Sequence, residues 1–324
     1  MRHPDKNVEK QAQEFARLSG GFRASRVVIT ANNLGIFEHA GKGVAAPELA
    51  KVLNTDLRAT EILLDAVTSL GLLKKSRGIY RLTTMAKQFL LPESPWYQGD
   101  MLRHLDTLWQ TWSGLDEVVR TGMPNRSGDR NHEVFIRAMH NNAVLRAANV
   151  LKALDLRGVK RALDLGGGPG TYGIELARRG IEVTLFDLPD TAEIAHDMIR
   201  KAGVKNVTFR GGDFHFDSIG KGYDLVLLSQ VLHSRSPIEN LALLGKVFDA
   251  LAPKGTIAIH EFTLAEDRAS PIAGALFSVN MLVNTPEGRS YTPKEMKGWL
   301  TKAGFVRIKI VYLGDTVVLT GRKR

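Results

Sequence analysis

The sequence predicts an α/β fold in which a doubly wound, mostly parallel sheet follows a mainly helical winged-helix domain. Three observations carry this prediction. From residue 156 onward, short apolar runs of strand character alternate with helical segments. A cluster of glycines follows the first of these runs. Between residues 46 and 82, two short helical patterns lead into a strand, a turn and a second strand, the order of a winged helix.

The strands of the predicted sheet are apolar runs, each bounded by turn residues. They are expected at residues 161–165, 182–186, 207–210, 224–228 and 256–260. Two further strands, 305–312 and 316–321, have no helix between them and should therefore pair antiparallel. The predicted helices of this half span residues 171–179, 190–202, 238–251 and 293–303, and a longer one covers about 132–154.

Length and composition limit the classes of protein to consider. The chain has 324 residues, more than one core usually holds, so at least two domains are expected. With 44% hydrophobic and 24% charged residues it has the balance of a globular protein, not of a disordered chain. It has no cysteine, which excludes disulfides, a thiolate nucleophile and cysteine-ligated metal; no metal site is predicted.

The formal net charge of +10 does not by itself indicate a nucleic-acid partner. The excess is spread along the chain, and the second helix of the winged helix carries Arg58 against Asp56, Glu61 and Asp65. A helix that reads DNA should present basic or amide side chains, so a DNA-binding regulator is a disfavoured alternative. The first residues carry no apolar leader, and the weakly polar run 272–284 is too short to span a bilayer. We expect a cytoplasmic protein without a membrane partner.

The glycine cluster predicts a ligand-binding turn between the first strand and the next helix. Asp164 precedes Gly166, Gly168 and Gly170, which let a ligand approach the backbone closely. The spacing also matches the dinucleotide pattern G-x-G-x-x-G, but a carboxylate at the turn would repel a pyrophosphate, and the turn itself has no basic residue. A cationic ligand such as the ammonium and sulfonium of S-adenosylmethionine is favoured, and an NAD-linked oxidoreductase is disfavoured.

Two more acids follow the next two strands and suit a nucleoside. Asp187 and Leu188 end the second strand, where a carboxylate can accept both ribose hydroxyls. Asp213 follows the third strand and can accept from the adenine amino group, with Phe214 against the ring. The three acids together are more specific than any one alone, because open α/β sheets bind ligands at the carboxyl ends of their strands.

These motifs resemble the small-molecule S-adenosylmethionine-dependent O-methyltransferases that include caffeate, hydroxyindole and polyketide methyltransferases. The resemblance covers nearly the whole chain and implies a Rossmann-like class I methyltransferase sheet. It also implies a homodimer with three parts: a winged-helix dimerisation domain at 1–100, a helical linker with acceptor-pocket helices at 101–155, and a cofactor-binding catalytic domain at 156–324.

The resemblance also implies an acceptor site with a general base. His233, just past the fourth strand, matches the family's base, and Glu261, at the end of the fifth strand, matches the acid that orients it. His260 is expected to be structural. The remaining implied contact to the cofactor is Ser229, and the implied contacts to the acceptor are Met139, Asn284 and Thr285.

A positioned histidine suits a phenolic acceptor. A phenol has a pKa of about 10 and imidazole one of about 6.5, and a nearby sulfonium charge narrows the difference between these two pKa values. The chain departs from the family at Ser234 and Ser290, where carboxylates are usual. The residues alone therefore leave open a C- or N-methyltransferase, or a relative that binds the cofactor without methylating.

Overall fold

A computed structural model describes residues 5–125 and 131–324 of the chain. The chain divides into two compact units between Asp106 and Thr107. The first unit consists of helices and three short strands. They are α1 (Lys6–Gly20), α2 (Phe22–Asn33), α3 (Ile36–His39), β1 (Val44–Ala45), α4 (Ala46–Leu53), α5 (Leu57–Ser69), β2 (Leu73–Ser76), β3 (Ile79–Leu82), α6 (Thr84–Leu90) and the start of α7 (Gly99–Trp112).

The first unit contains the predicted pair of helices followed by a hairpin. Asp56 caps α5 by accepting a hydrogen bond from the Ala59 N–H at 2.8 Å. β2 and β3 pair antiparallel, and β1 adds to the other edge of β3. Leu49 of α4, Leu64 of α5 and Tyr80 of β3 are buried together in the core of this unit. The helices and the hairpin therefore form one packed body.

Helix α1 contributes nothing to that core. It has no buried residue, and Phe15 and Leu18 on it are 71% and 63% exposed. Phe22, at the start of α2, is exposed as well. Helix α1 ends at Gly20, and α3 begins only after Gly35, which has a left-handed φ of 73°. The first unit thus presents an apolar face formed by Phe15, Leu18 and Phe22, which we call the α1 face.

The second unit holds the large sheet and the helices that cover it. Its elements are α8 (Leu115–Thr121), α9 (His132–Val144), α10 (Ala147–Lys152), β4 (Arg161–Leu165), α11 (Thr171–Ala177), β5 (Glu182–Asp187), α12 (Ala192–Ala202), β6 (Val207–Gly211), β7 (Tyr223–Ser229), α13 (Pro237–Ala250), β8 (Leu251–Phe262), α14 (Ile272–Asn284), α15 (Pro293–Lys302), β9 (Val306–Leu313) and β10 (Thr316–Arg322).

The strands of this sheet run in the order β6-β5-β4-β7-β8-β10-β9. The five strands from β6 to β8 pair in parallel, and β10 pairs antiparallel with both β8 and β9. The predicted mostly parallel sheet with an antiparallel C-terminal strand is therefore confirmed. Strand order reverses between β4 and β7, and at such a point the carboxyl ends of the strands leave a crevice for a ligand.

Successive residues of β8 face opposite sides of the sheet. Ile257 and Ile259 belong to the apolar cluster on one side, and Ala258 belongs to the cluster on the other. The alternation continues to the end of the strand, where His260 and Glu261 are both buried. These two neighbours therefore serve different faces of the same crevice.

Two details of the second unit differ from the sequence pattern. The helix predicted over 132–154 is interrupted, because α9 ends at Val144 and α10 begins at Ala147. Residues 272–284, considered above only as a candidate membrane segment, form helix α14, whose apolar residues do not gather on one face. Within the described residues, no helix is both long and apolar enough to cross a membrane.

Candidate active site

The glycine turn after β4 is built on left-handed backbone that favours glycine. Gly166, Gly168 and Gly170 have φ values of 68°, 54° and 78°. A Cβ on Gly170 would lie 2.7 Å from Cδ2 of Leu185, so packing as well as backbone conformation requires glycine there. A Cβ on Gly168 would meet nothing within 4 Å, so this residue borders open space. The turn therefore offers its backbone to a ligand at Gly168.

Asp164 lies directly beneath this turn. Its side chain is fully buried, and its Oδ2 accepts the Gly173 N–H at 2.8 Å. Burial raises the pKa of its carboxyl to about 7, partly opposed by that hydrogen bond. Oδ1 is buried without a partner among the described residues. Asp164 thus supports the helix after the turn and still has one oxygen to offer.

Asp187 joins the second strand end to the same turn. Its Oδ2 accepts the Gly168 N–H at 2.7 Å, and its Oδ1 accepts the Leu188 N–H at 2.8 Å and the Thr191 hydroxyl at 3.2 Å. Burial raises the pKa of this carboxyl, although the hydrogen bonds oppose the rise. Oδ1 thus accepts two hydrogen bonds, whereas Oδ2 has a lone pair left for a further donor. Two predicted cofactor residues, Gly168 and Asp187, are thus in direct contact.

The loop after β6 also approaches the glycine turn. Asp213 accepts the His215 N–H at 2.8 Å, which shapes the loop. The ring of Phe214 lies 3.7 Å from the position that a Cβ on Gly166 would occupy. The guanidinium of Arg235 lies 5.6 Å from the centroid of the Phe214 ring. The residues predicted from three strand ends therefore converge on one crevice.

His233 and Glu261 form a buried pair on the acceptor side. Nδ1 of His233 lies 2.7 Å from Oε2 of Glu261, and their side chains are 12% and 4% exposed. Oε1 of Glu261 accepts the Leu232 N–H at 2.7 Å. Because an ionised carboxylate only accepts, we assign the ring proton to Nδ1. Nε2 is then the basic nitrogen that remains.

Helix α14 and the loop after it pack against this pair. The rings of His233 and Phe277 meet edge to face with centroids 4.8 Å apart. A Cβ on Gly288 would lie 2.4 Å from Thr285 Oγ1 and 2.5 Å from the His233 carbonyl oxygen. Thr285 donates to the Met281 carbonyl at 2.7 Å. Thr285 and the backbone of His233 are therefore close neighbours.

The other two predicted acceptor residues lie on helices of the same unit. Asn284 donates to the Asn280 carbonyl at 2.8 Å, and the Asn280 amide oxygen accepts the Trp112 Nε1–H at 3.0 Å. Met139 is half-buried on α9. The next residue, His140, contacts the Thr171 hydroxyl at 2.9 Å, so α9 lies against α11.

The two serines that replace family carboxylates have structural partners. Ser234 donates to the Val231 carbonyl at 2.9 Å. Ser290 is buried, donates to the Gly274 carbonyl at 2.8 Å and accepts no bond from His233 in the described part of the chain. The carboxylate that contacts His233 is therefore that of Glu261.

Sequence reasoning missed Gln230, which lies between Ser229 and the His233 turn. Its φ of 61° is left-handed, an uncommon conformation for a residue with a side chain. Its N–H donates to the His260 carbonyl at 2.8 Å, and both atoms of its side-chain amide are buried without a described partner. Nothing in the local sequence signals this residue, because its strain and burial arise from the packing of β7 against β8.

Buried polar atoms without partners gather at this edge of the sheet. Among the described residues they belong to side chains that lie at or just after the carboxyl ends of β4, β6, β7 and β8, and to the first part of α13: Asp164, His215, Gln230, Arg235, Asn240 and His260. Buried polar groups normally have partners, so their concentration here indicates a site that a polar ligand and water complete.

A family model for the O-methyltransferase domain matches residues 106–306. The chain belongs to the O-methyltransferase family. A second model, for the O-methyltransferase dimerisation domain, matches residues 16–92. The resemblance inferred from the motifs is thereby confirmed, and the protein is a methyltransferase.

Named O-methyltransferases are similar over almost the full chain. The 3-hydroxy-5-methyl-1-naphthoate 3-O-methyltransferase of Streptomyces sahachiroi is 35% identical over 91% of this chain and 89% of its own length. Acetylserotonin O-methyltransferase of Rattus norvegicus is 32% identical over 94% of this chain and 75% of its own. The structure of human N-acetylserotonin methyltransferase in complex with SAM matches with a TM-score of 0.89, at 28% identity, over 100% of this chain and 99% of that one.

Proposed function

We propose that this protein transfers the methyl group of S-adenosylmethionine to a hydroxyl of a small aromatic molecule, with His233 as general base. The observation that carries the proposal is the contact of 2.7 Å between His233 Nδ1 and Glu261 Oε2 at the carboxyl edge of the sheet. The relatives named above support the acceptor class, since naphthoate and acetylserotonin are aromatic.

The residues around the glycine turn fit the cofactor. A Cβ on Gly168 would meet nothing within 4 Å, Asp187 Oδ2 has a lone pair for a ribose hydroxyl, and Asp164 Oδ1 is buried without a partner among the described residues. Asp213 and Phe214 would take the adenine amino group and ring, with Leu188 against the other face. Gly166, Gly170 and Ser229 complete the set. S-adenosylmethionine supplies a methyl group already activated on sulfonium.

The role of His233 is then to remove the proton of the substrate's hydroxyl. Its Nδ1–H donates to Glu261, which holds the ring and leaves Nε2 as the acceptor of the substrate's hydroxyl proton. Bound beside this pair, S-adenosylmethionine would supply its methyl group to the deprotonated oxygen and leave as S-adenosylhomocysteine, with a methyl ether as the product. The imidazolium that results is stabilised by the carboxylate, and Phe277 covers the ring against water.

The rest of the chain supplies the pocket and the assembly. Residues 101–155 would contribute Met139 to the acceptor pocket, and the segment after α14 would contribute Asn284 and Thr285. Residues 1–100 would form a homodimer through the α1 face, because α1 has no buried residue and leaves Phe15 and Leu18 exposed. Residues 156–324 would bind the cofactor and catalyse the transfer.

Calorimetry with S-adenosylmethionine and a panel of phenols assayed by mass spectrometry test this function. We expect micromolar binding of the cofactor, loss of that binding in Asp187→Ala, and addition of one methyl group to a phenolic oxygen. A wild-type protein that does not bind the cofactor, or a product methylated on carbon or nitrogen, would contradict the proposal.

A further inference from the structure

Helix α14 carries two asparagines on the face that includes Phe277. The ring of Phe277 contacts the ring of His233 with centroids 4.8 Å apart, which brings this face of α14 to the proposed base. Asn280 and Asn284 follow Phe277 by three and seven residues, so the helical repeat places all three on the same face. The two asparagines therefore lie on the face of α14 that borders the proposed acceptor site.

A hydrogen bond from Trp112 decides which way the Asn280 amide points. An indole N–H only donates, so the side-chain atom 3.0 Å from Trp112 Nε1 is the amide oxygen of Asn280. Nδ2 of Asn284 lies 3.1 Å from the same oxygen and 2.8 Å from the Asn280 carbonyl oxygen. Two donors thus fix Oδ1 of Asn280, and its Nδ2 occupies the other side of the amide.

Nδ2 of Asn280 is a donor that the protein itself does not use. Within the described part of the chain it has no hydrogen-bond partner, although the residue is half-buried. A partly desolvated N–H gains free energy from a ligand that supplies an acceptor. Because an amide NH2 group only donates, that acceptor must be an atom with a lone pair, such as a carbonyl or carboxylate oxygen.

The position of Asn280 along α14 separates this donor from the base. An α-helix rises about 1.5 Å per residue, so the backbone of Asn280 lies about 4.5 Å further along the axis than that of Phe277. An aromatic molecule whose hydroxyl lies at His233 Nε2 would therefore present a different substituent to Asn280. The donor is placed to read a group that does not react.

We propose that Asn280 determines acceptor specificity by donating its Nδ2–H to a second oxygen of the aromatic acceptor, which is not methylated. This inference rests on the proposed function and narrows the substrate class to aromatic compounds that carry both a hydroxyl and a carbonyl or carboxylate group. Trp112 is a positioning residue, because its N–H holds the amide of Asn280 in the donating orientation.

Steady-state kinetics with two acceptors that differ by one carboxylate test this role. 3-Hydroxy-1-naphthoate carries the second oxygen, and 2-naphthol is the same ring system with the hydroxyl alone. Asn280→Asp retains an oxygen for Trp112 and loses the donor. It should lower kcat/KM for hydroxynaphthoate about 10-fold or more, mainly through KM, and change kcat/KM for naphthol by less than about 2-fold.

Two further variants separate the lost donor from the added charge and from the lost orientation. Asn280→Leu removes the donor without adding a charge and should show the same dependence on the acceptor. Trp112→Phe should lower kcat/KM for hydroxynaphthoate by a smaller factor. Adding Trp112→Phe to Asn280→Asp should change little, because both substitutions act on the same hydrogen bond.

Asn149→Asp is the matched control, since Asn149 is exposed on α10 and the substitution adds the same charge. It should leave kcat/KM for both acceptors unchanged, and calorimetry with S-adenosylhomocysteine checks that each variant keeps its cofactor site. Equal losses for the two acceptors in the Asn280 variants would overturn the inference. So would a wild type that uses naphthol as well as hydroxynaphthoate, or that methylates other phenols but neither of these. A wild type that methylates no phenol would instead contradict the proposed function.

Discussion

Glu261 holds His233 with one oxygen and the backbone with the other. Oε2 lies 2.7 Å from His233 Nδ1, while Oε1 accepts the N–H of Leu232, the residue just before the histidine. The carboxylate is therefore fixed relative to the same turn that carries the imidazole. This arrangement sets the direction of Nε2 before any acceptor binds.

Loss of the base should lower turnover far more than cofactor affinity. We expect His233→Ala to reduce kcat by about 10²-fold or more, because it removes the group proposed to take the hydroxyl proton. Glu261→Gln should lower kcat as well, since a neutral amide no longer stabilises the imidazolium. Steady-state kinetics and calorimetry on the same preparations measure the two effects.

His196→Ala provides the control for the histidine substitution, because His196 is exposed on α12, where its ring contacts Phe209. It should retain wild-type kcat. A His233→Ala enzyme with an unchanged rate would show that the residue only positions the acceptor.

Gly168 and Gly180 form a matched pair for the glycine turn. Both have left-handed φ values, 54° and 81°, and a Cβ on either would meet nothing within 4 Å. Each Gly→Ala change should cost about 1 kcal/mol of folding free energy, from backbone strain alone. Only Gly168→Ala should also weaken cofactor binding, by 10-fold or more, because its methyl group enters the space of the ligand. Equal affinities in the two variants would contradict this placement of the cofactor.

His260 should make the protein less stable in mild acid. Its pKa is about 4 in the folded state, below the ordinary value of about 6.5, so the unfolded chain takes up a proton first as pH falls. Its contribution is fully present above pH 6.5 and is lost between 6.5 and 4. At pH 5 the loss is about 2 kcal/mol.

Urea denaturation of wild type and His260→Asn at pH 8 and pH 5 measures this contribution. The stability difference between the two proteins should shift by that amount in favour of the variant at pH 5. Asp164, whose pKa is raised to about 7, has the opposite pH dependence, but it is present in both proteins and cancels in the difference. Parallel pH profiles would rule out the effect.

The α1 face should hold two copies of the chain together. Phe15→Glu places a charge among side chains that are exposed in the single chain, and we expect it to convert a dimer into a monomer in sedimentation velocity experiments. Phe216→Glu is the control, since Phe216 is 88% exposed in the loop after β6. A monomeric wild type, or dissociation by both substitutions, would argue against this face.

The sequence predicted the central strands well because β4 and β7 are buried on both sides and read as continuous apolar runs. Strand β4 has the predicted bounds, Arg161–Leu165. The break between α9 and α10 was missed because Ala147 and Val150 continue the apolar pattern on the far side of it. Helix α14 was missed because its residues are apolar around most of the circumference, which removes the helical period.

The candidate site was predictable where chemistry sits in a local motif and unpredictable where it depends on packing. Asp164, Asp187 and the glycines could be recognised from their positions at the carboxyl ends of strands. Gln230 and the partners of His260 do not, because their roles follow from the pairing of β7 with β8 and from the approach of α11.

The alternation at the end of β8 makes this strand sensitive to its length. His260 serves the cofactor face and Glu261 the acceptor face, one residue apart. Deleting a single residue upstream in β8 would turn each side chain to the other face, leaving the cofactor's serine opposite the carboxylate of Glu261 and the acceptor's histidine opposite the ring of Phe262. A substitution at His260 or Glu261 would affect one half of the reaction, whereas an insertion or deletion in β8 would disable both halves together.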